Sequence, residues 1–308
     1  VVSITQGFLL EITVMEQYLA LAEHILTNGT RKENRTGVDT IGVFGYFYKH
    51  DLNNGFPLLT TKAMKWEHIV IENLWFLSGA TNIDFLRHYG VKFWDPWADE
   101  AGEVPSSYGN YWVRFPVHQK LSSFDGQTTG SIAAYNDQIK FALNELRTNP
   151  LSRRIVISAW APGNAQTSKL PPCHVTWVLN TQYDKQGELR LNLALLQRSC
   201  DVPLGVPYNL AGYSFLLHLM AHLSGLKVGE FAHTLVDAHI YVDQIDGIKE
   251  QLKREPRELP RLIIDSSIKE LKDIEALITE KPPLEKLLSL FRLEGYDPHP
   301  AIKFPVAV

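Results

Sequence analysis

Residues 171–174 read Pro-Pro-Cys-His, placing one of the chain's two cysteines directly before a histidine at the head of an apolar run. A cysteine acts as a nucleophile only as its thiolate, which needs positive charge or a base beside it. The plainer reading of Cys173 is a small buried residue that opens a strand. Charge is at hand in QRSCD (197–201), on a strand expected to run back beside the first. There Arg198 and Cys200 share one face and Ser199 takes the other, because side chains alternate along a strand. Arg35 lies in the turn-like ENRTG, and the pair Arg153-Arg154 opens the strand RIVISAW. Each arginine alone reads as a solvated surface residue. As a set they supply the planar forks that bind phosphate oxygens bidentately.

Other polar groups sit on apolar elements. Glu72 lies within WEHIVIENLWFLSG (66–79), where burial is costly unless the carboxyl is hydrogen-bonded, so it is paired or functional. Asn209 follows Pro207 at the head of an apolar helix. It reads either as an N-cap or as an amide offering one donor and one acceptor to a base edge. Asp237, His239 and Tyr241 alternate along one strand and project from one face. Trp94 and Trp97 flank a proline in FWDPWAD, as core aromatics or as a wall for a flat heterocycle.

These residues need elements to hold them. The periodicity predicts a helix from about Val14 to Leu26 with Gly29 as its stop, and a second over 66–79. Strands are predicted over 40–52, 154–160, 173–184, 188–201 and 230–241, with a turn at 185–187 joining the third and fourth. An amphipathic helix is expected over 136–150, a long apolar one over 208–226 ending at Gly225, and a surface helix with a loop over 267–290. Residues 117–133 read as a polar loop. Strands and helices mix without regular βαβ alternation, which favours an α+β fold in a single domain spanning 1–308.

Composition narrows the function classes. With 308 residues, 45% hydrophobic and 21% charged, the chain can build a substantial core. A formal charge of −4 carries no general basic bias, so nucleic acid is not the default partner. Two cysteines without a CxxC or Cys/His spacing make neither a disulfide framework nor a metal set, and a reducing, cytoplasmic setting is expected. The segment VVSITQGFLLEITVMEQYLA lacks the basic lead and cleavage site of a secretion signal. No run reaches the ~18 uninterrupted apolar residues that suggest a membrane span. Neither a Walker sequence nor a GxGxxG after a strand is present, so a nicotinamide or nucleoside triphosphate site is unsupported.

Taken in order, RTG, FPLLTTK, WFLSG with the following TN, WDPWAD, SRRIVISAW, PCH, QRSCDVPLGVPYN, DAHIY and GYDPHPAIKFPVAV resemble the folate-dependent thymidylate synthase family. This belongs to the thymidylate synthase/pyrimidine hydroxymethylase superfamily, and the resemblance runs from roughly Met15 to Val308. It implies a homodimer of α+β subunits packed through a large, twisted mixed sheet flanked by helices. It implies reductive methylation of dUMP by 5,10-methylenetetrahydrofolate, with no metal. Cys173 would add to C6 of the uracil ring. Arg35, Arg198 and Ser199 would hold the 5′-phosphate, joined by Arg153 and Arg154 from the other subunit. Asn209 would read O4 and N3, while His239 and Tyr241 would bind the 3′-hydroxyl. Glu72 would organise proton-shuttling waters, His174 would support the waters near O4, and Tyr108 would help remove the C5 proton. Lys62, Trp94, Leu170 and Asp201 would face the folate, and Val308 would close over it.

Within this resemblance, Asn209 rather than an aspartate favours uracil over cytosine, and Trp94, Leu170 and the C-terminal valine match the methylating pattern. Phe93, Ala161, Gly212, Val236 and Ala63 depart from it around the base and folate ends of the site. They leave open a hydroxymethylase that quenches an exocyclic methylene with water. A Cys–His hydrolase is a rival of another class, weakened because neighbours on a strand face opposite ways. A catalytically silent nucleotide-binding member with a weak local RNA contact is the other.

Overall fold

The computed structural model describes residues 13–118, 132–165 and 168–306. The chain enters through α1 (Val14–Asn28), where the Thr13 hydroxyl accepts from the Glu16 N–H and the Glu16 carboxylate accepts from the Thr13 N–H. This reciprocal capping satisfies two donors that a helix start leaves orphaned. Strands β1 (Thr30–Lys32) and β2 (Thr40–Asp51) follow, then α2 (Trp66–Ser78), closed by Gly79 at φ 67°. Next come α3 (Asp84–His88), α4 (Tyr108–Val113), β3 (Phe115–His118), β4 (Ile132–Asn136), α5 (Gln138–Thr148), β5 (Val156–Ser158) and α6 (Pro162–Ala165). The central strands β6 (His174–Tyr183) and β7 (Leu189–Asp201) lead into α7 (Gly205–Ser224) and β8 (Lys227–Tyr241). The chain then runs through α8 (Ile245–Gln251), β9 (Arg261–Ile264), α9 (Leu271–Glu280), α10 (Leu284–Ser289) and β10 (Phe291–Glu294).

Six strands form one mixed sheet in the order β1-β2-β8-β7-β6-β5. All neighbours are antiparallel except β7 and β8, which are parallel because the long helix α7 connects them as a crossover. Alternation is clean where a strand lies under helices: Leu191, Leu193, Leu195 and Gln197 of β7 are buried, as are Phe231, His233 and Leu235 of β8. Helix α7 is apolar nearly all round, and α2 packs against it. Trp75, Trp112 and Trp177 are fully buried between these layers. Each contributes on the order of 2–3 kcal/mol through burial.

The predicted elements are present with shifted ends. Strand β5 is held to Val156–Ser158, shorter than 154–160. Helix α7 starts at Gly205, before the predicted 208, because Pro207 occupies the first turn, where a missing N–H costs nothing. Asn209 is therefore in the helix rather than at its cap, which removes the capping role. The region 117–133, read as loop, has paired flanks, since β3 and β4 form an antiparallel ladder. The β9–β10 pair was not predicted, because two four-residue strands far apart in sequence carry little periodic signal.

Candidate active site

Cys173 sits at the entry to β6, and two other elements fix it. Its N–H donates to the Tyr108 hydroxyl at 3.0 Å, from α4. Its carbonyl accepts from the Arg198 N–H at 2.9 Å, across the β6–β7 ladder. The Arg198 guanidinium donates to the Pro172 carbonyl from Nε at 3.0 Å and to the Pro171 carbonyl from a terminal nitrogen at 2.8 Å. It also lies 5.5 Å from the centre of the Trp160 ring. The two-proline turn is thus clamped from β7, and no proline N–H is wasted in the contact.

Burial pushes the Cys173 thiol above its ordinary range, opposed by Arg198, by the Tyr108 hydrogen bond and by Arg35. Desolvation wins over the two arginines, one of which is already engaged with carbonyls. Arg35, in the β1–β2 turn, lies over the Trp97 ring at 5.8 Å, and its charge reaches Cys173.

Glu72 projects from α2 toward Trp94, whose indole N–H donates to its carboxyl at 2.7 Å. Burial raises the Glu72 pKa to about 7, and the Trp94 bond pulls against that rise. A carboxyl poised there can both take and give a proton at neutral pH. Trp94 itself is buried among Trp75, Phe76 and Tyr108. Trp97 is the more open of the two tryptophans.

His174 stacks on Tyr108 with centroids 4.4 Å apart and meets Tyr213 edge-on at 5.2 Å. Burial holds its pKa at about 3, so the ring is neutral, and its side chain interacts with the Asn209 amide. Its Nδ1 has no hydrogen-bond partner among the described residues. These neighbours set the ring among aromatic and amide groups.

Asp237, His239 and Tyr241 form their own group. His239 Nδ1 lies 3.1 Å from Asp237 Oδ1, and the His239 and Tyr241 rings meet at 5.4 Å. Asp237 also takes the Lys32 ammonium at 2.8 Å, and the His239 and Lys32 hydrogen bonds hold its pKa near 2. Ser199 and Asp201 on β7 pair with Asp237 and His239 on β8. Asp201 accepts from the Leu204 N–H at 3.1 Å, and its burial raises its pKa against the pull of His239 and Lys62. Lys62 donates to the Pro203 carbonyl, and burial lowers its pKa to about 8. Leu170 offers its carbonyl to Ser106 at 3.1 Å. Val308 lies outside the described residues.

Arg153 and Arg154 do not join this cluster within the chain. Both are exposed, and the β5–β6 register pairs Val156 with Val178, which sets Arg154 opposite about residue 180. Seven residues of strand separate that point from Cys173, roughly 23 Å at ~3.3 Å per residue.

Sequence reasoning missed Gln197 and His233. Both stand at inward positions in otherwise apolar alternations, the pattern that marks a buried polar group in need of a partner. Two open pockets, of about 440 Å³ beside Trp66 and Tyr296 and about 350 Å³ beside Asp184 and Arg190, are lined by none of the residues above.

Cys173 under the charge of Arg198 and Arg35, with the buried Glu72 carboxyl raised to about 7, gives this part of the fold the chemistry that a candidate active site needs. The family model described as Thymidylate synthase matches residues 16–308, and the chain belongs to that family.

Proposed function

We propose that the chain catalyses reductive methylation of dUMP at C5, with 5,10-methylenetetrahydrofolate as one-carbon donor, to give dTMP and dihydrofolate. Family membership supports the reaction class. The observation that carries the reading is the Cys173 thiol under the influence of Arg198, Arg35 and Tyr108. Cys173 adds to C6 of the uracil ring, and the electron pair released makes C5 a nucleophile. Arg198 and Arg35 favour the thiolate as its proton leaves. Asn209 donates to O4 and accepts from N3–H, with His174 supporting water at O4, so that charge on O4 meets prearranged donors. Tyr108 assists loss of the C5 proton, and Glu72 relays protons through water.

Arg35, Arg198 and Ser199 hold the 5′-phosphate, and His239 with Tyr241 binds the 3′-hydroxyl. Arg153 and Arg154 complete the phosphate site from the partner subunit of a homodimer, which accords with their distance from Cys173 in their own chain. Phe44 and Phe47 on β2 and Val156 on β5 are exposed and give such a dimer apolar surface to cover. The folate supplies a one-carbon unit and then a hydride. Asp201, a buried carboxyl under the influence of the Lys62 ammonium, fits the N–H edge of its heterocycle, with Lys62 facing the folate from the same side. Trp94 and Leu170 wall that side, and Val308 closes it.

Mass analysis of the product from dUMP and methylenetetrahydrofolate, with absorbance at the dihydrofolate band, tests the reading. A gain of one CH2 with dihydrofolate formed is expected. A gain of CH2O without dihydrofolate would move the chain to hydroxymethylation. Binding without conversion would make it a silent member of the fold.

A further inference from the structure

The Asn209 amide stands at the end of a buried hydrogen-bonded row that crosses three strands. Tyr48 on β2 and His233 on β8 are register partners, and the Tyr48 hydroxyl lies 2.7 Å from His233 Nδ1. His233 Nε2 lies 2.9 Å from Gln197 Oε1 on β7. Gln197 Nε2 then donates to the Ser199 carbonyl at 3.1 Å and to Asn209 Oδ1 at 2.9 Å, on α7. Tyr48, His233 and Gln197 are each at most 4% exposed, so the row is closed to bulk solvent.

The direction of every bond follows from one atom. The Ser199 carbonyl can only accept, so the Gln197 atom facing it is the amide nitrogen. Gln197 Oε1 therefore faces His233 and needs a donor, which places the imidazole proton on Nε2. The bare Nδ1 accepts from the Tyr48 hydroxyl. The second Gln197 proton fixes Asn209 Oδ1 as an acceptor, leaving its NH2 as the donor end. Burial keeps His233 neutral, with a pKa of about 3, so this tautomer persists over the working pH range.

The geometry points to His233, seated by Tyr48, as a positioning residue for base selection: its Nε2–H holds Gln197 in the one orientation that stops the Asn209 amide from flipping. This rests on the reading of Asn209 as the base-facing amide. An unflipped amide matches uracil, which offers an oxygen at C4 and N3–H. A flipped amide matches cytosine, which offers an amino group at C4 and a bare N3. Neither Tyr48 nor His233 touches the base in this account. Without the His233 donor, Gln197 Oε1 is a buried acceptor with nothing to accept, and the side chain gains by leaving the row.

Calorimetric Kd values for dUMP and dCMP give the selectivity as a ratio. His233→Leu is expected to lower the dUMP preference roughly two- to tenfold, the scale of one net hydrogen bond. His233→Gln, which restores a donor, is expected to recover it, and Tyr48→Phe to lose part of it. An unchanged ratio in folded His233→Leu overturns the proposal while leaving the Asn209 reading intact. Equal binding of dUMP and dCMP by the unmodified protein overturns the Asn209 reading, and the proposal with it. Nitrogen NMR of the unmodified protein stands independent of folding in the variants: a proton on His233 Nδ1 rather than Nε2 also overturns the row.

Discussion

Replacing Glu72 by glutamine separates stability from catalysis with a sign that depends on pH. The carboxyl has a pKa of about 7 in the fold, raised from 4.5 by burial. A raised carboxyl favours the protonated form. Its contribution is therefore fully present below the unfolded value of 4.5 and is lost as pH rises through about 7. The full shift corresponds to about 3 kcal/mol at 1.36 kcal/mol per pH unit. Glutamine cannot ionise, and its Oε1 still accepts from the Trp94 indole. Glu72→Gln is thus expected to gain on the unmodified protein by roughly 2–3 kcal/mol between pH 5 and pH 8, while losing turnover. Urea unfolding of both proteins at matched concentration reads this as a difference of differences, which cancels any constant effect of the amide. A stability gap that is the same at both pH values would refute the argument that burial loads the carboxyl.

Three further outcomes are expected. Gly109→Ala puts a Cβ 2.1 Å from the Phe76 carbonyl oxygen, backbone that cannot yield, and should cost about 2–3 kcal/mol in thermal unfolding while displacing the neighbouring Tyr108. Mixing inactive Cys173→Ser with inactive Arg153→Ala/Arg154→Ala should restore activity, because one site in each mixed dimer is then complete; random exchange predicts about one quarter of the original sites. Recovery of none would place the arginines elsewhere. Trp94→Phe removes the bond that lowers the Glu72 pKa, so infrared titration of the carboxyl should move upward by roughly 1–2 units; a downward move would contradict it.

Much of the fold was legible because its strands and helices are long and periodic. β7, β8, α2 and α7 carry long apolar alternations or faces; the structure starts β8 at Lys227 rather than 230, runs α7 over Gly205–Ser224 rather than 208–226, and holds β5 to Val156–Ser158. The β9–β10 pair was not legible, since short strands are specified by tertiary packing rather than local pattern. In the site, Cys173, Arg198 and Glu72 were visible as chemistry out of place on apolar elements. The ionisation of Cys173 was not, because the balance between burial and two guanidiniums exists only once the chain is folded. Gln197 and His233 were overlooked for a related reason: a polar residue at an inward strand position has meaning only when its partners across neighbouring strands are known.

The most direct test of the central claim, that Cys173 attacks the pyrimidine, is release of the C5 hydrogen from 5-deuterated dUMP in the presence of methylenetetrahydrofolate. One deuterium lost per dTMP formed is expected, with none lost by Cys173→Ser although that variant still binds dUMP. Deuterium release by Cys173→Ser at the rate of the unmodified protein would contradict the account.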